Sequence, residues 1–209
     1  MNELFDFSEA DPPGSLDEID ADRRAVRRAF READVAETIL QGIERRAIRS
    51  GRRQTGQFQS NREPRWRLAT ADPQYGTEVD CKIIELRLLG FLLAFSNAPA
   101  VDDETIDLLT ERYLGAEPLC GSYCGSLLLE PLDFQTFSGE AIEPTHGVSL
   151  IHLGHENPTI QPKHVPENVA WRTHRSNLIQ GNMTLREARI YIIKLIARYF
   201  ELGELDIAD

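Results

Sequence analysis

Apolar residues recur along this chain in two rhythms, and the rhythms predict its elements. Phe30, Ala33, Ala36 (or Glu37), Leu40, Ile43 and Ala47 fall every three or four positions, one apolar stripe that predicts a helix within 19–48. Arg23, Arg27 and Arg31 line the opposite side at i, i+4. Residues 82–95 are apolar nearly all round, which predicts a buried helix or a dimer interface. Asp102 or Asp103 is placed to cap a further helix reaching Tyr113, with Gly115 and Pro118 ending it. Residues 148–153 are short and β-rich, and 169–171 read as a second strand. Pro158, Pro162 and Pro166 punctuate the loop between them. A helix then opens within 172–179. Thr184 and Glu187 form a capping box ahead of Leu185, Ala188, Ile192, Leu195, Ile196 and Tyr199 at helical spacing, so a long amphipathic C-terminal helix is expected.

The elements predict an α+β chain, mainly helical. Residues 1–17 are acidic and carry Pro12, Pro13 and Gly14, so an extended N-terminus is expected, either masking a basic surface or docking on a partner. A helical targeting or assembly domain is expected over 18–115, a compact module over 116–203 ending in the long helix, and an acidic tail over 204–209. No internal repeat, phosphate-binding Walker loop, dinucleotide-binding glycine fingerprint or motif-grade Ser–His–Asp arrangement is present.

Charge changes the picture. The 209 residues carry a formal net charge of -11, which at first sight opposes a polyanionic partner. The distribution is uneven: 1–21 hold seven acids and no Lys or Arg, whereas 22–67 hold thirteen arginines against six acids. The arm 45–67, with Gly51, Gly56, Ser60, Asn61 and the aromatics Phe58 and Trp66, has the make-up of a polar segment that tracks a phosphate backbone. Arg45, Arg46, Arg49, Arg52, Arg53, Arg62, Arg65 and Arg67 are its candidate nucleic-acid contacts, joined by Lys163, Arg172 and Arg175. The alternative is a solvated helix face whose arginines pair with the acidic remainder of the protein or with another subunit. No apolar run is long enough to span a membrane, and the acidic start of the chain lacks the marks of a signal peptide, so a cytoplasmic location is expected.

The chemistry concentrates near the C-terminus. Leu153-Gly154-His155-Glu156-Asn157-Pro158 is followed by Lys163-His164-Val165-Pro166-Glu167-Asn168 and then by Ser176-Asn177-Leu178-Ile179-Gln180-Gly181. Hydrolysis of a phosphodiester needs a proton acceptor of near-neutral pKa and a way to hold charge on phosphate and leaving oxygen. The order and spacing of His155, Asn168 and Asn177 resemble the ββα-metal fold of HNH-type nucleases in the His–Asn–Asn form, as in bacterial restriction systems. The resemblance covers about 118–200. It implies a metal-dependent DNA endonuclease of restriction or antiviral defence, with His155 as general base, Asn168 bracing the loop and Asn177 binding a divalent metal. Mg2+ is the expected metal, with Mn2+ or Ni2+ as alternatives, and cutting both strands implies a homodimer or a partner subunit.

One position departs from that family. The residue before the general base is usually an acidic metal ligand, and here it is Gly154. Strand alternation puts His152 on the same face as Gly154, so His152, with Glu156, is the expected substitute ligand; the alternative is a core histidine. His164 and His174 are the reserves for His155. Cys120 and Cys124 resemble the zinc knuckle that often precedes such a hairpin, but three residues separate them and a second cysteine pair is missing. Structural Zn2+ would need two more ligands, from Cys81, His146, His164 or His174; the alternative is a relic whose thiols pack as small hydrophobes. Two other functions stay open: a catalytically degenerate DNA-binding or assembly subunit of a defence complex, and a docking protein whose arginines meet an acidic surface.

Overall fold

A computed structural model describes residues 7–51, 62–143 and 149–204, together with the backbone of Gln54–Thr55 and Phe58–Gln59. The first apolar stripe forms two helices, α1 (Leu16–Glu32) and α2 (Glu37–Ile48). The break is at Asp34, whose φ of 59° is left-handed, a conformation that Asp adopts at lower cost than most residues. Val35 N–H closes the turn on the Phe30 carbonyl at 3.0 Å, and α2 folds back on the core.

The apolar segment becomes α3 (Glu78–Leu93), capped by Thr77 and buried from Cys81 to Leu93. It packs against α1, α2 and the later hairpin, so its face is covered within one chain. Its charges are buried with partners. Arg23 and Arg27 of α1 both bind the fully buried Glu85, Arg27 also meets Glu37 at 2.9 Å and Glu44 at 2.8 Å, and Lys82 reaches Asp20 at 2.8 Å. Arg23 and Arg27 are therefore internal counter-ions, because a buried carboxylate is tolerated only when paired, whereas Arg31 stays exposed and meets Glu37 at 2.7 Å.

Asp102 caps α4 (Asp103–Leu109), which continues as a wider turn over Thr110–Leu114 and stops at Gly115 with φ of 72°. Asp133 caps α5 (Phe134–Ile142). Two short strands, β1 (Gln54–Thr55) and β2 (Phe58–Gln59), pair antiparallel within the basic arm.

The C-terminal part is a hairpin followed by a helix. β3 (Ile151–His155) pairs antiparallel with β4 (Val169–Thr173), with Gly154 opposite Ala170 and His152 opposite Arg172. β3 starts later than the expected 148–153, since the Leu150 and Ile151 N–H groups go to the Glu140 carboxylate; Val148 lies outside the described residues. α6 (His174–Gln180) follows β4 directly, capped by Thr173, and packs on both strands. α7 (Leu185–Glu201) opens with the Thr184–Glu187 capping box. Its first turn is buried through Leu185 and Ala188, while Ile193, Leu195, Ile196, Tyr199 and Phe200 are exposed. The chain is α+β and mainly helical, and no described helix is long and apolar enough to cross a membrane.

Candidate functional site

Trp171 fixes the hairpin on the core. Its indole N–H donates to the Leu88 carbonyl of α3 at 2.9 Å, and the Tyr123 hydroxyl bonds its backbone on both sides, accepting from N–H at 2.9 Å and donating to the carbonyl at 3.1 Å. Gln180 at the end of α6 donates to the carbonyls of His155 at 3.1 Å and Glu156 at 3.0 Å, tying helix to strand end. Asn168, in the short turn before β4, accepts from Asn157 N–H at 2.6 Å and donates to the carbonyls of Asn157 and Lys163. One side chain thus closes the whole 157–168 loop.

Successive residues of β3 face opposite sides. His155 points away from α6, into a cleft of about 360 Å³ whose wall carries Arg45, Arg46, Arg49, Arg62, Arg65 and Lys163 and, among the described residues, no acid. None of these six cations has an acidic partner within 4.0 Å among the described residues, unlike the paired arginines of α1. Arg65 is set rigidly, donating to the Gln74 carbonyl at 3.1 Å and the Arg46 carbonyl at 3.3 Å. The basic arm and the hairpin, about a hundred residues apart in sequence, meet at one histidine.

The His155 Nε2 is buried and has no hydrogen-bond partner among the described residues. Burial, reinforced by Lys163, Arg65 and Arg172, pushes the ring pKa down to about 3, so the imidazole is neutral at physiological pH. Its ring lies 5.8 Å from that of His164. His164 is fully buried, its Nε2 2.6 Å from the Ala47 carbonyl, and burial holds it well below the ordinary histidine range.

The α6 side of the hairpin is built differently. A Cβ on Gly154 would come within 2.6 Å of both Arg172 Cδ and Asn177 Oδ1. The space an acidic ligand would use is thus filled by the Arg172 side chain, which is fully buried and meets Glu156 at 3.0 Å. Glu156 also accepts from Ser126 Oγ at 2.8 Å. A divalent cation of this kind wants an oxygen-rich shell. A guanidinium packed against Gly154 and Asn177, with the nearby carboxylate already committed to it, does not fit one. A metal role for Asn177 and His152 thus stays only what the resemblance implies. His152 Nε2 lies 2.7 Å from the Ser149 carbonyl and the ring stacks on His174 at 4.8 Å, a packing arrangement; burial is the main cause of its lowered pKa.

Other expected contacts divide. Arg172, grouped with the phosphate-contacting residues, is instead buried and ion-paired, because β4 extends to Thr173 and turns it under α6. Arg175 lines a separate groove beside α6, and Arg67 is exposed outside the cleft. Arg52, Arg53, Phe58 and His146 lie outside the described residues or their described side chains. Among the described residues no three His, Cys, Asp or Glu side chains gather as metal ligands. Cys120 is exposed with Sγ 3.4 Å from the Phe95 carbonyl, while Cys81 is in the core, so no zinc set forms from them. Sequence reasoning named His164 as a reserve for His155 but missed its burial, and it missed the Gly154–Arg172 packing, which follows from a strand register that only the structure gives.

No protein-family model matches the chain, and no curated protein does. Among solved structures, it is similar to one described as the crystal structure of a type II restriction endonuclease. The TM-score is 0.51 at 20% identity, over 62% of this chain and 55% of that one, so this chain spans about half the length of that protein. The likeness is one of fold.

Proposed function

We propose that this chain binds DNA along the basic cleft and hydrolyses a phosphodiester bond there, with His155 as general base. The observation that carries the reading is the convergence of six cations, without acidic partners among the described residues, on a neutral histidine whose Nε2 has no partner among them. Arginines of the cleft hold the phosphate oxygens, where paired N–H donors match their geometry. Nε2 accepts the proton of an attacking water as its oxygen bonds to phosphorus. The bond to the leaving oxygen breaks, that oxygen takes a proton from solvent, His155 later releases its own to solvent, and the surrounding cations stabilise the added negative charge. With its pKa at about 3, lowered mainly by burial and then by Lys163, Arg65 and Arg172, the free ring is a weak base; the negative charge of a bound phosphate beside it offsets those cations and raises its basicity, so general-base catalysis by His155 requires substrate in the cleft. The restriction-endonuclease-like fold supports the reading and suggests a role in restriction or phage defence. Cutting both strands calls for a second copy or a partner subunit, because one cleft addresses one strand.

A second reading is favoured by the Arg172 packing at Gly154: a catalytically silent DNA-binding or assembly subunit. Purified protein and its His155→Ala variant, incubated with supercoiled plasmid and with single-stranded DNA in EDTA, Mg2+, Mn2+ or Ni2+, separate the two. Cleavage lost in the variant while binding persists supports the nuclease. Salt-sensitive binding with no nicking under any condition sinks it and leaves the binding subunit.

A further inference from the structure

The α6 side of the hairpin holds a fixed positive charge in the place where a bound cation would be expected. Three observations converge. A Cβ at position 154 would lie 2.6 Å from both Arg172 Cδ and Asn177 Oδ1, so any side chain there must displace one or both of them. Arg172 is fully buried, yet among the described residues none of Nε, Nη1 and Nη2 has a hydrogen-bond partner, so its compensation is the ion pair alone. Its Nη2 meets Glu156, two residues after Gly154 and just past the end of β3, at 3.0 Å.

We propose that Arg172 is the resident cation of this β–β–α unit, neutralising Glu156 and bracing Asn177 at Gly154, and that the unit takes no divalent metal. Gly154 is then the residue that lets a guanidinium pack between strand and helix, where any larger residue would expel it. A metal entering the same space would sit beside a like charge and would find Glu156 already paired, so both Coulomb repulsion and the shortage of oxygen donors oppose it. Arg172 is one of the charges that lower the His155 pKa, but its role beside Gly154 is tested without a cleavage assay, so its failure and that of the nuclease reading can be told apart.

The test is titration of EDTA-stripped protein with MnCl2, followed by calorimetry and by the spin-resonance signal of free Mn2+, beside Arg172→Gln and Asn177→Ala. Circular dichroism checks that each variant is folded. Wild-type protein should show no stoichiometric site, and its melting temperature should be the same in EDTA and in Mn2+. Arg172→Gln removes the competing charge and releases Glu156, so a Mn2+ site that appears only in that variant would support the assignment. One Mn2+ per wild-type chain, lost on Asn177→Ala, would overturn it. Where Arg172→Gln fails to fold, wild-type titration and melting decide between these outcomes on their own.

Discussion

His155 and His164 lie ring against ring, centroids 5.8 Å apart and planes 65° apart, each with one buried ring nitrogen that has no hydrogen-bond partner among the described residues. Folding therefore binds both in the neutral form. His155 is pushed down to about 3 from an ordinary 6.5, so between those values the unfolded chain carries the proton and the folded one does not. Stability falls as pH falls through that window. Urea denaturation from pH 7 to 4 should show a steeper loss for wild type than for His155→Gln, which removes one titrating ring. Parallel curves would mean that the ring is not neutral in the folded protein.

The two glycines 154 and 139 should respond in opposite directions to alanine. Gly154→Ala forces a Cβ into Arg172 and Asn177 and should cost about 1–3 kcal/mol, the range for overpacking. Gly139 is inside α5 with nothing within 4 Å of an added Cβ, so Gly139→Ala should stabilise by about 0.5–1 kcal/mol. Chemical denaturation of both variants reads the pair, and equal effects would sink the packing argument.

Cleft arginines should show themselves in salt dependence. Removing Arg45, Arg49 or Arg62 singly should weaken DNA binding alike across sequences and lower the log–log salt slope by about one each. Arg28→Ala is the control, since Arg28 is exposed on α1 away from the cleft, 3.9 Å from Glu32. A slope unchanged by all three cleft variants would place the DNA elsewhere.

Glu85 holds two arginines of α1 from inside α3. Glu85→Ala leaves Arg23 and Arg27 without their buried partner and should cost about 3–5 kcal/mol. Thermal unfolding checks it, and a loss well below that would mean that Asp20, Glu37 and Glu44 suffice to neutralise them.

Much of the hairpin and helix could be read from side-chain order alone. Short β-rich runs, a proline-punctuated loop and the Thr184–Glu187 box act locally, and local signals survive in sequence. What could not be read depends on distant partners. Residues 19–48 carry one continuous stripe, and only the left-handed Asp34 divides it. Arg23 and Arg27 looked solvent-facing because Glu85, their reason for burial, lies more than fifty residues on in an otherwise apolar helix, while Arg31 does stay exposed and pairs with Glu37. Arg172 looked like a surface base for the same reason: its burial follows from the register against His152 and from the helix laid over it. His155 was legible as a candidate; the cations around it were legible only as a separate arm, and their meeting is tertiary.

The split between neutralised and bare arginines also has a kinetic side. At low salt, where the screening length reaches about 30 Å in 0.01 M, an approaching polyanion feels a particle of net charge -11 and is repelled. Only inside that distance does the cleft dominate. Added salt should therefore hasten encounter by weakening the repulsion while shortening the lifetime of the complex, as counter-ions displace the cleft contacts. Association rate and affinity would run in opposite directions with ionic strength, so a binding step tuned to the local field of the cleft is traded against the far field of the whole molecule.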